Sequence, residues 1–199
     1  MDNGNGSTVA RRATAGDAEE LIRLRIVMLE SMDGEPVPPG EWSELAVASL
    51  RRRLPLPGAS IAAFVVDRPV GDGPGLAACA TGVFEERLGS PTNPGGLTGY
   101  VFNVATDARY RRRGYSTACL TGLLGWFADN GVSQVRLRAS REGLPVYERL
   151  GFVLETGPSM RCSVPSRPRT RSGGLAPEAE AGHAAVGEDV QPHVGGLGR

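Results

Sequence analysis

The sequence predicts an α/β fold in which a mixed β-sheet is flanked by helices, and three features of its patterning carry that expectation. Ile61 to Val66 and Leu76 to Phe84 are β-prone apolar runs separated by the turn-rich Arg68-Pro-Val-Gly-Asp-Gly-Pro-Gly75, the pattern of a hairpin and so of antiparallel pairing. From about Arg113 to Asn130, Leu120, Leu123, Leu124 and Phe127 recur at helical spacing, with Asn130-Gly131 as the stop. Val135, Leu137 and Ala139 then alternate with Gln134, Arg136 and Arg138, so a strand returns directly after that helix. A β-α-β crossover of this kind implies parallel pairing, which makes the sheet mixed.

The other elements follow in chain order. Thr8 to Ala13 reads as a short first strand, and Thr14-Ala-Gly-Asp17 has the form of a helix start, with Leu21, Leu24 and Met28 on one face behind it. A second helix is expected from Glu41 to Arg53, between Pro38-Pro39 and the stops Pro55 and Pro57; its terminal Arg51 to Arg53 suits the negative end of its own dipole. After the hairpin, a loop through Pro91, Pro94, Gly95 and Gly96 leads to a strand from Thr98 to Thr106 whose partly apolar run suggests burial on both faces. A short helix from about Pro145 to Leu150 takes its proline in the first turn and has Gly151 after its last, with closing strands expected near Phe152 to Glu155 and Met160 to Val164. The expected order is β-α-α-β-β-β-α-β-α-β-β.

At 199 residues the chain is one domain with an appendage. Met1 to Ser7 reads as a flexible N-terminus, residues 8–164 as the folded domain, and residues 165–199 as a disordered tail, because no aromatic residue follows Phe152 and the tail is rich in Pro, Gly and Ala. Formal net charge is zero, with 22 basic and 22 acidic residues, so no overall field draws the protein to nucleic acid or to a membrane. Every basic residue is arginine; the absence of lysine excludes a Schiff-base lysine, a lysine base and a lysine-containing phosphate loop. His183 and His193 both fall in the tail, which leaves no histidine for a metal site or a Ser-His-Asp triad in the folded part. Cys79, Cys119 and Cys162 have no close spacing, so neither a disulfide framework nor a zinc site is expected. With no apolar run of the roughly 18 residues that a membrane span needs, a cytoplasmic location is the expectation.

The chemically informative stretch runs from Asn103 to Ala118, where a strand ends, Arg109, Arg111, Arg112 and Arg113 crowd together, and Gly114 opens a long helix. A helix N-terminus has unpaired N–H groups and a partial positive charge, and a glycine there lets a phosphate oxygen approach the backbone. Arginines add forked donors for phosphate. A solvated surface turn is the alternative, but four cations at the positive end of a dipole are unfavourable unless an anion is supplied. A nucleic-acid patch is disfavoured, since no interleaved aromatic platform or second basic cluster supports it.

The segment Arg111-Arg-Arg-Gly114-Tyr-Ser116 resembles the acyl-CoA loop of the GCN5-related N-acetyltransferase (GNAT) family, which follows Gln/Arg-x-x-Gly-x-Gly/Ala; Ser116 departs from the final Gly or Ala but keeps a small side chain. Further on, Tyr147-Glu-Arg-Leu-Gly-Phe152 is similar to the family's Tyr-x-x-Leu-Gly-Phe signature. The resemblance covers residues 8–164 and implies a sheet that is splayed between its fourth and fifth strands, with acetyl-CoA as acyl donor and no metal. It implies that Arg109 and Arg111 to Gly114, with the first helical turn at Tyr115, Ser116 and Thr117, hold the donor's phosphates, while Val104 and Thr106 of the fourth strand line its arm. The backbone N–H of Val104 would polarise the thioester carbonyl beside Asn103, and Tyr147 would protonate the leaving thiolate, a role open to a phenol. Tyr147 as a core aromatic, and Phe102 and Val104 as core side chains, are the structural alternatives.

Many relatives place a glutamate on the fourth strand, whereas Tyr100, Val101, Phe102 and Asn103 stand here; Glu85, Glu86 and Glu142 are the remaining base candidates, each also readable as a solvated surface charge. Cys119 lies in an apolar helical context, which disfavours an acyl-cysteine route. Between Arg25 and Arg51 stand Glu30, Asp33, Glu35, Glu41 and Glu44 with no basic residue, readable either as an acidic wall that would favour a cationic acceptor or as merely polar helix faces and a turn. The expected function is transfer of an acetyl group to a primary amine of a small molecule or peptide, by direct transfer in a ternary complex; the resemblance also admits a homodimer. The alternative is a non-catalytic acyl-CoA-binding or scaffold module with the same fold.

Overall fold

The computed structural model describes residues 9–155 and, beyond them, 157, 159, 160, 162 and 163. The flexible N-terminus expected over residues 1–7, and the tail expected over 165–199 with its two histidines, lie outside the described residues. Strands β1 (Arg11–Arg12), β2 (Ile61–Asp67), β3 (Leu76–Glu86), β4 (Leu97–Thr106) and β5 (Gln134–Leu137) form one sheet in chain order. The first four pair antiparallel and β5 pairs parallel to β4, so the sheet is mixed as expected. Helices α1 (Ala18–Asp33), α2 (Glu41–Arg53), α3 (Tyr115–Asp129) and α4 (Leu144–Arg149) complete the architecture. Among the described residues no helix is long and apolar enough to cross a membrane.

Alternation along β2 and β3 builds two cores. Leu21 and Leu24 of α1, with Leu54 after α2, bury Ala63, Val65 and Cys79 on one face. On the other face Leu120, Leu123 and Phe127 of α3 cover Ala62, Val66, Ala78 and Ala80. Both faces being covered is the reason β2 and β3 are apolar almost throughout rather than alternating with polar residues. The Phe127 ring lies against strand backbone: a Cβ at Gly82 would come within 2.7 Å of its Cζ, and one at Gly99 within 2.8 Å of its Cε1.

The start of α1 forms as its sequence suggests. The Asp17 carboxylate accepts from the Thr14 N–H at 2.7 Å and from Arg11 Nη1 and Nη2 at 2.9 and 2.7 Å. Those Arg11 bonds, reinforced by the Thr14 N–H against the opposing effect of burial, hold the carboxyl down at about 2. The element order follows expectation as far as α4.

The expected closing strands are a correction. Phe152 N–H donates to the Tyr147 carbonyl at 3.1 Å, and its ring meets that of Tyr147 edge-on at 5.9 Å. Its backbone is thus used in closing α4 rather than in a ladder. Val153 and Leu154 are exposed, and 152–155 is irregular. Of the second expected strand, Met160, Cys162 and Ser163 are irregular and exposed, while Arg161 and Val164 lie outside the described residues.

Gly82→Ala is expected to destabilise the fold by about 1–3 kcal/mol through overpacking against Phe127. Urea denaturation of Gly82→Ala, Phe127→Leu and the double variant should show a coupling energy, because the shorter side chain relieves the clash.

Candidate active site

The site begins where β4 outlasts β5. Parallel pairing runs from Thr98 opposite Gln134 to Val101 opposite Leu137 and stops there, although β4 continues to Thr106. On the β3 side, Thr81 faces Asn103 while Gly82 faces Val101, so Phe102 is the extra residue of a β-bulge. Asp107 N–H donates to the Ala77 carbonyl at 2.9 Å. Counting back through the alternation of an antiparallel ladder, Ala105 and Asn103 turn their backbone groups toward β3, and Thr106 and Val104 turn theirs to the opposite edge, which β5 has left free. The Val104 N–H therefore projects into the space between the parted strands.

The segment after β4 is anchored on its inner side. Arg23 of α1 donates to Asp107 Oδ2 at 3.1 Å, to both Glu20 oxygens at 2.8 and 2.9 Å and to the Leu76 carbonyl at 2.8 Å. Burial acts to raise the Asp107 carboxyl, but the Arg109 N–H and the charges of Arg23 and Arg109 outweigh it and hold the carboxyl below its ordinary range. Tyr110 is buried and donates its hydroxyl to Asp72 at 2.9 Å. Its ring carries the guanidinium groups of Arg109 and Arg113 at 5.3 and 5.5 Å, a cation–π arrangement. Tyr110 thus sorts the four arginines: two are held on its ring, while Arg111 and Arg112 line the cleft. Sequence reasoning passed over Tyr110; an aromatic residue inside a run of cations was the available signal.

Backbone conformation bends this loop around a concavity. Arg112 has φ 62°, the one non-glycine residue in the left-handed region among the described residues, and Gly114 has φ 78°. Left-handed turns beside a helix start gather N–H groups into an anion-binding nest, and a strained arginine there is a mark of function. The first helical bond of α3 runs from Ala118 N–H to the Gly114 carbonyl at 3.0 Å, so the N–H groups of Tyr115, Ser116 and Thr117 precede it and have no intrahelical partner. Among the described residues, nothing beyond the adjoining chain lies within 4 Å of where a Gly114 Cβ would stand, which leaves that side open to a ligand.

Tyr147 closes the cleft from the opposite wall. The turn before α4 is tied by Gly143 N–H donating to Ser140 Oγ at 3.2 Å, and the Tyr147 ring lies so close to Gly143 that a Cβ there would meet its Cε2 at 2.8 Å. Tyr147 is half-buried, and burial pushes its phenol above the ordinary value. One cleft brings together Val104, Thr106, Arg111, Arg112, Ser116 and Tyr147, with Val27, Met28 and Ser31 of α1 along its side.

Other sequence candidates fall elsewhere. Asn103 is buried with its side-chain nitrogen 3.6 Å from Cys79 Sγ, turned into the core rather than lining the cleft. Of the base candidates, Glu142 lines the cleft, whereas Glu85 pairs with Arg87 in a separate shallow groove and Glu86 is exposed at the end of β3. Burial pushes the Cys79 thiol up to about 12 and raises that of Cys119 as well, so neither is a ready nucleophile. Of the acidic run, Glu30 accepts from the Val37 N–H at 3.2 Å, and Glu44 lines a groove between α1 and α2. Glu35 and Glu41 are exposed outside the cleft lining, and the side chain of Asp33 lies outside the described residues.

Comparison with known proteins gives a consistent picture. The model of the acetyltransferase (GNAT) family matches residues 35–152. A predicted acetyltransferase from Clostridium acetobutylicum, solved with acetyl-CoA, is similar at 22% identity with TM-score 0.65, over 77% of this chain and 94% of that one. A GCN5-related N-acetyltransferase from Ralstonia eutropha JMP134 is similar at 23% identity with TM-score 0.65, over 77% and 97%. The glucosamine-6-phosphate N-acetyltransferase of Arabidopsis thaliana is similar at 18% identity with TM-score 0.59, over 78% and 95%. At these identities the structures speak for the fold. No curated protein sequence matches the chain.

Because Asp107 is depressed in the folded state, its contribution to stability is complete above the unfolded carboxyl value of about 3.9 and is lost as pH falls through the lower folded value. Asp107→Asn removes that contribution. The urea midpoint of the variant should therefore fall less steeply than that of the wild type as pH drops below about 4.

Proposed function

We propose, since the chain belongs to the GNAT acetyltransferase family, that it transfers the acetyl group of acetyl-CoA directly to a primary amine bound in the same cleft. The observation that carries this reading is the meeting, in one cleft, of the free edge of β4, the arginine loop and Tyr147. Acetyl-CoA supplies an acyl group already activated as a thioester. Arg111, Arg112 and Ser116, with the free N–H groups opening α3, hold its phosphates by charge-assisted hydrogen bonds.

Val104 N–H donates to the carbonyl oxygen as negative charge gathers there, a preorganised dipole in a partly dry site. The neutral amine nitrogen bonds to the carbonyl carbon and the C–S bond breaks. Tyr147 gives its proton to the departing sulfur; burial keeps that phenol protonated until needed. The proton shed by the amine passes through water to Glu142, the carboxylate lining the cleft. Holding donor and acceptor side by side removes most of the entropic cost of a bimolecular reaction.

Three variants test the reading. Gly114→Val places a branched side chain at a left-handed position on the phosphate approach, and calorimetry should find acetyl-CoA affinity reduced by about tenfold or more. Tyr147→Phe should lower kcat by about 10²- to 10⁴-fold with acetyl-CoA affinity retained, read as thiol release across a panel of amines. Glu142→Gln should lower kcat at neutral pH with acetyl-CoA affinity retained, because the proton shed by the amine loses its acceptor. Binding of acetyl-CoA with no thiol release above the Tyr147→Phe level would establish a non-catalytic acyl-CoA-binding module instead.

A further inference from the structure

We infer that the acceptor amine carries an anionic group, a carboxylate or a phosphate, received by Arg138 at the end of the cleft remote from the arginine loop. The inference rests on the transfer reading above and names the class of its second substrate. The cleft has two limbs that share Met28, Ser31, Val104, Ser140 and Tyr147. One limb ends at Arg111, Arg112 and Ser116, and the other at Tyr100, Phe102, Leu137 and Arg138. With donor phosphates in the first limb and the reacting groups of Val104 and Tyr147 at the junction, the second limb is where the acceptor enters.

Apart from Ser31, whose hydroxyl already donates to the Met28 carbonyl at 2.7 Å, every polar side chain lining that second limb can donate a hydrogen bond: the hydroxyls of Ser140, Tyr100 and Tyr147, and the guanidinium of Arg138. No carboxylate lines it among the described residues. Glu142 lines the donor limb, and three other acids have partners of their own. Glu155 pairs with Arg136 at 3.1 Å, Glu85 pairs with Arg87, and Glu30 accepts from Val37 N–H. Arg138 has no acidic partner within salt-bridge distance among the described residues.

A second cation stands behind the limb. The guanidinium of Arg25 lies 5.9 Å from the ring centroid of Phe102, and its Nη1 is buried without a hydrogen-bond partner. An acceptor with a second positive charge would meet Arg138 and Arg25 with no carboxylate lining this limb among the described residues, whereas an anionic group gains a charge-assisted pair with the exposed guanidinium of Arg138.

Thiol release from acetyl-CoA is to be compared for β-alanine, O-phosphoethanolamine, ethanolamine and putrescine. At least one of the two anionic amines should exceed both ethanolamine and putrescine in kcat/KM by about tenfold or more, and the better of the pair tells carboxylate from phosphate. In Arg138→Gln the ratio of anionic to neutral amine should fall toward one, and Arg138→Lys should restore part of it. Independently of turnover, the preferred anionic amine should raise the Tm of the wild type in the presence of CoA and should not do so in Arg138→Gln. A preference for putrescine, or a ratio and a Tm shift unmoved by Arg138→Gln, overturns the inference. If no amine releases thiol, the transfer reading fails, and the Tm measurement still decides whether Arg138 binds the anion.

Discussion

The architecture of the site depends on β4 losing its parallel neighbour while keeping its antiparallel one. A strand held on one side is still rigid, because the ladder to β3 continues to Thr106 opposite Ala78. Released on the other side, it offers main-chain donors that need no side chain and cost no rotamer entropy to order. The bulge at Phe102 decides which residues those are. Val101 packs into the core beneath α3, yet Ala105, an even number of residues away, packs into the opposite core beneath α1. Without the extra residue the two would share a face, and the backbone groups now turned to the free edge would belong to other positions.

The arginine loop poses a charge problem that the fold resolves by division of labour. Four guanidinium groups at the positive end of α3 repel one another and the helix dipole. Stacking Arg109 and Arg113 on Tyr110, whose hydroxyl is fixed by Asp72, takes two of them out of the cleft. Asp107, bound to Arg23 and held ionised, supplies a fixed negative charge beneath the turn. The cations left facing the cleft, Arg111 and Arg112, stand beside Ser116 and the free N–H groups of the first turn, so the compensating anion is one that arrives with the substrate.

Charge also differentiates the two ends of the cleft. The donor limb combines arginines with Glu142, and the other limb presents Arg138 among hydroxyls. Two carboxylates of the acidic run stand apart in space: Glu30 serves a loop N–H, and Glu44 faces the groove between α1 and α2. Proximity in sequence and proximity in space diverge here because α1 and the connection to α2 turn successive residues to different sides.

Much of the fold was legible without coordinates, since helical spacing, turn residues and capping depend on neighbours along the chain. The bounds of α2 coincide with the expected Glu41 to Arg53, and β2, β3, β4 and α3 fall within a residue or two of expectation at each end. Gly114 and Tyr147 were legible for the same reason, one as the opening of a long helix and one within a local signature. What the chain alone left open involves partners distant in sequence: the bulge at Phe102 exists only against β3, Asn103 opposite Thr81 turns inward to meet Cys79, and Phe152 closes α4 rather than extending the sheet. Local sequence determined which elements form and that an anion-binding helix start follows β4. Tertiary structure decided which edge of β4 is free, which arginines face the cleft and where Arg138 stands, because those are properties of packing between elements and no residue carries them by itself.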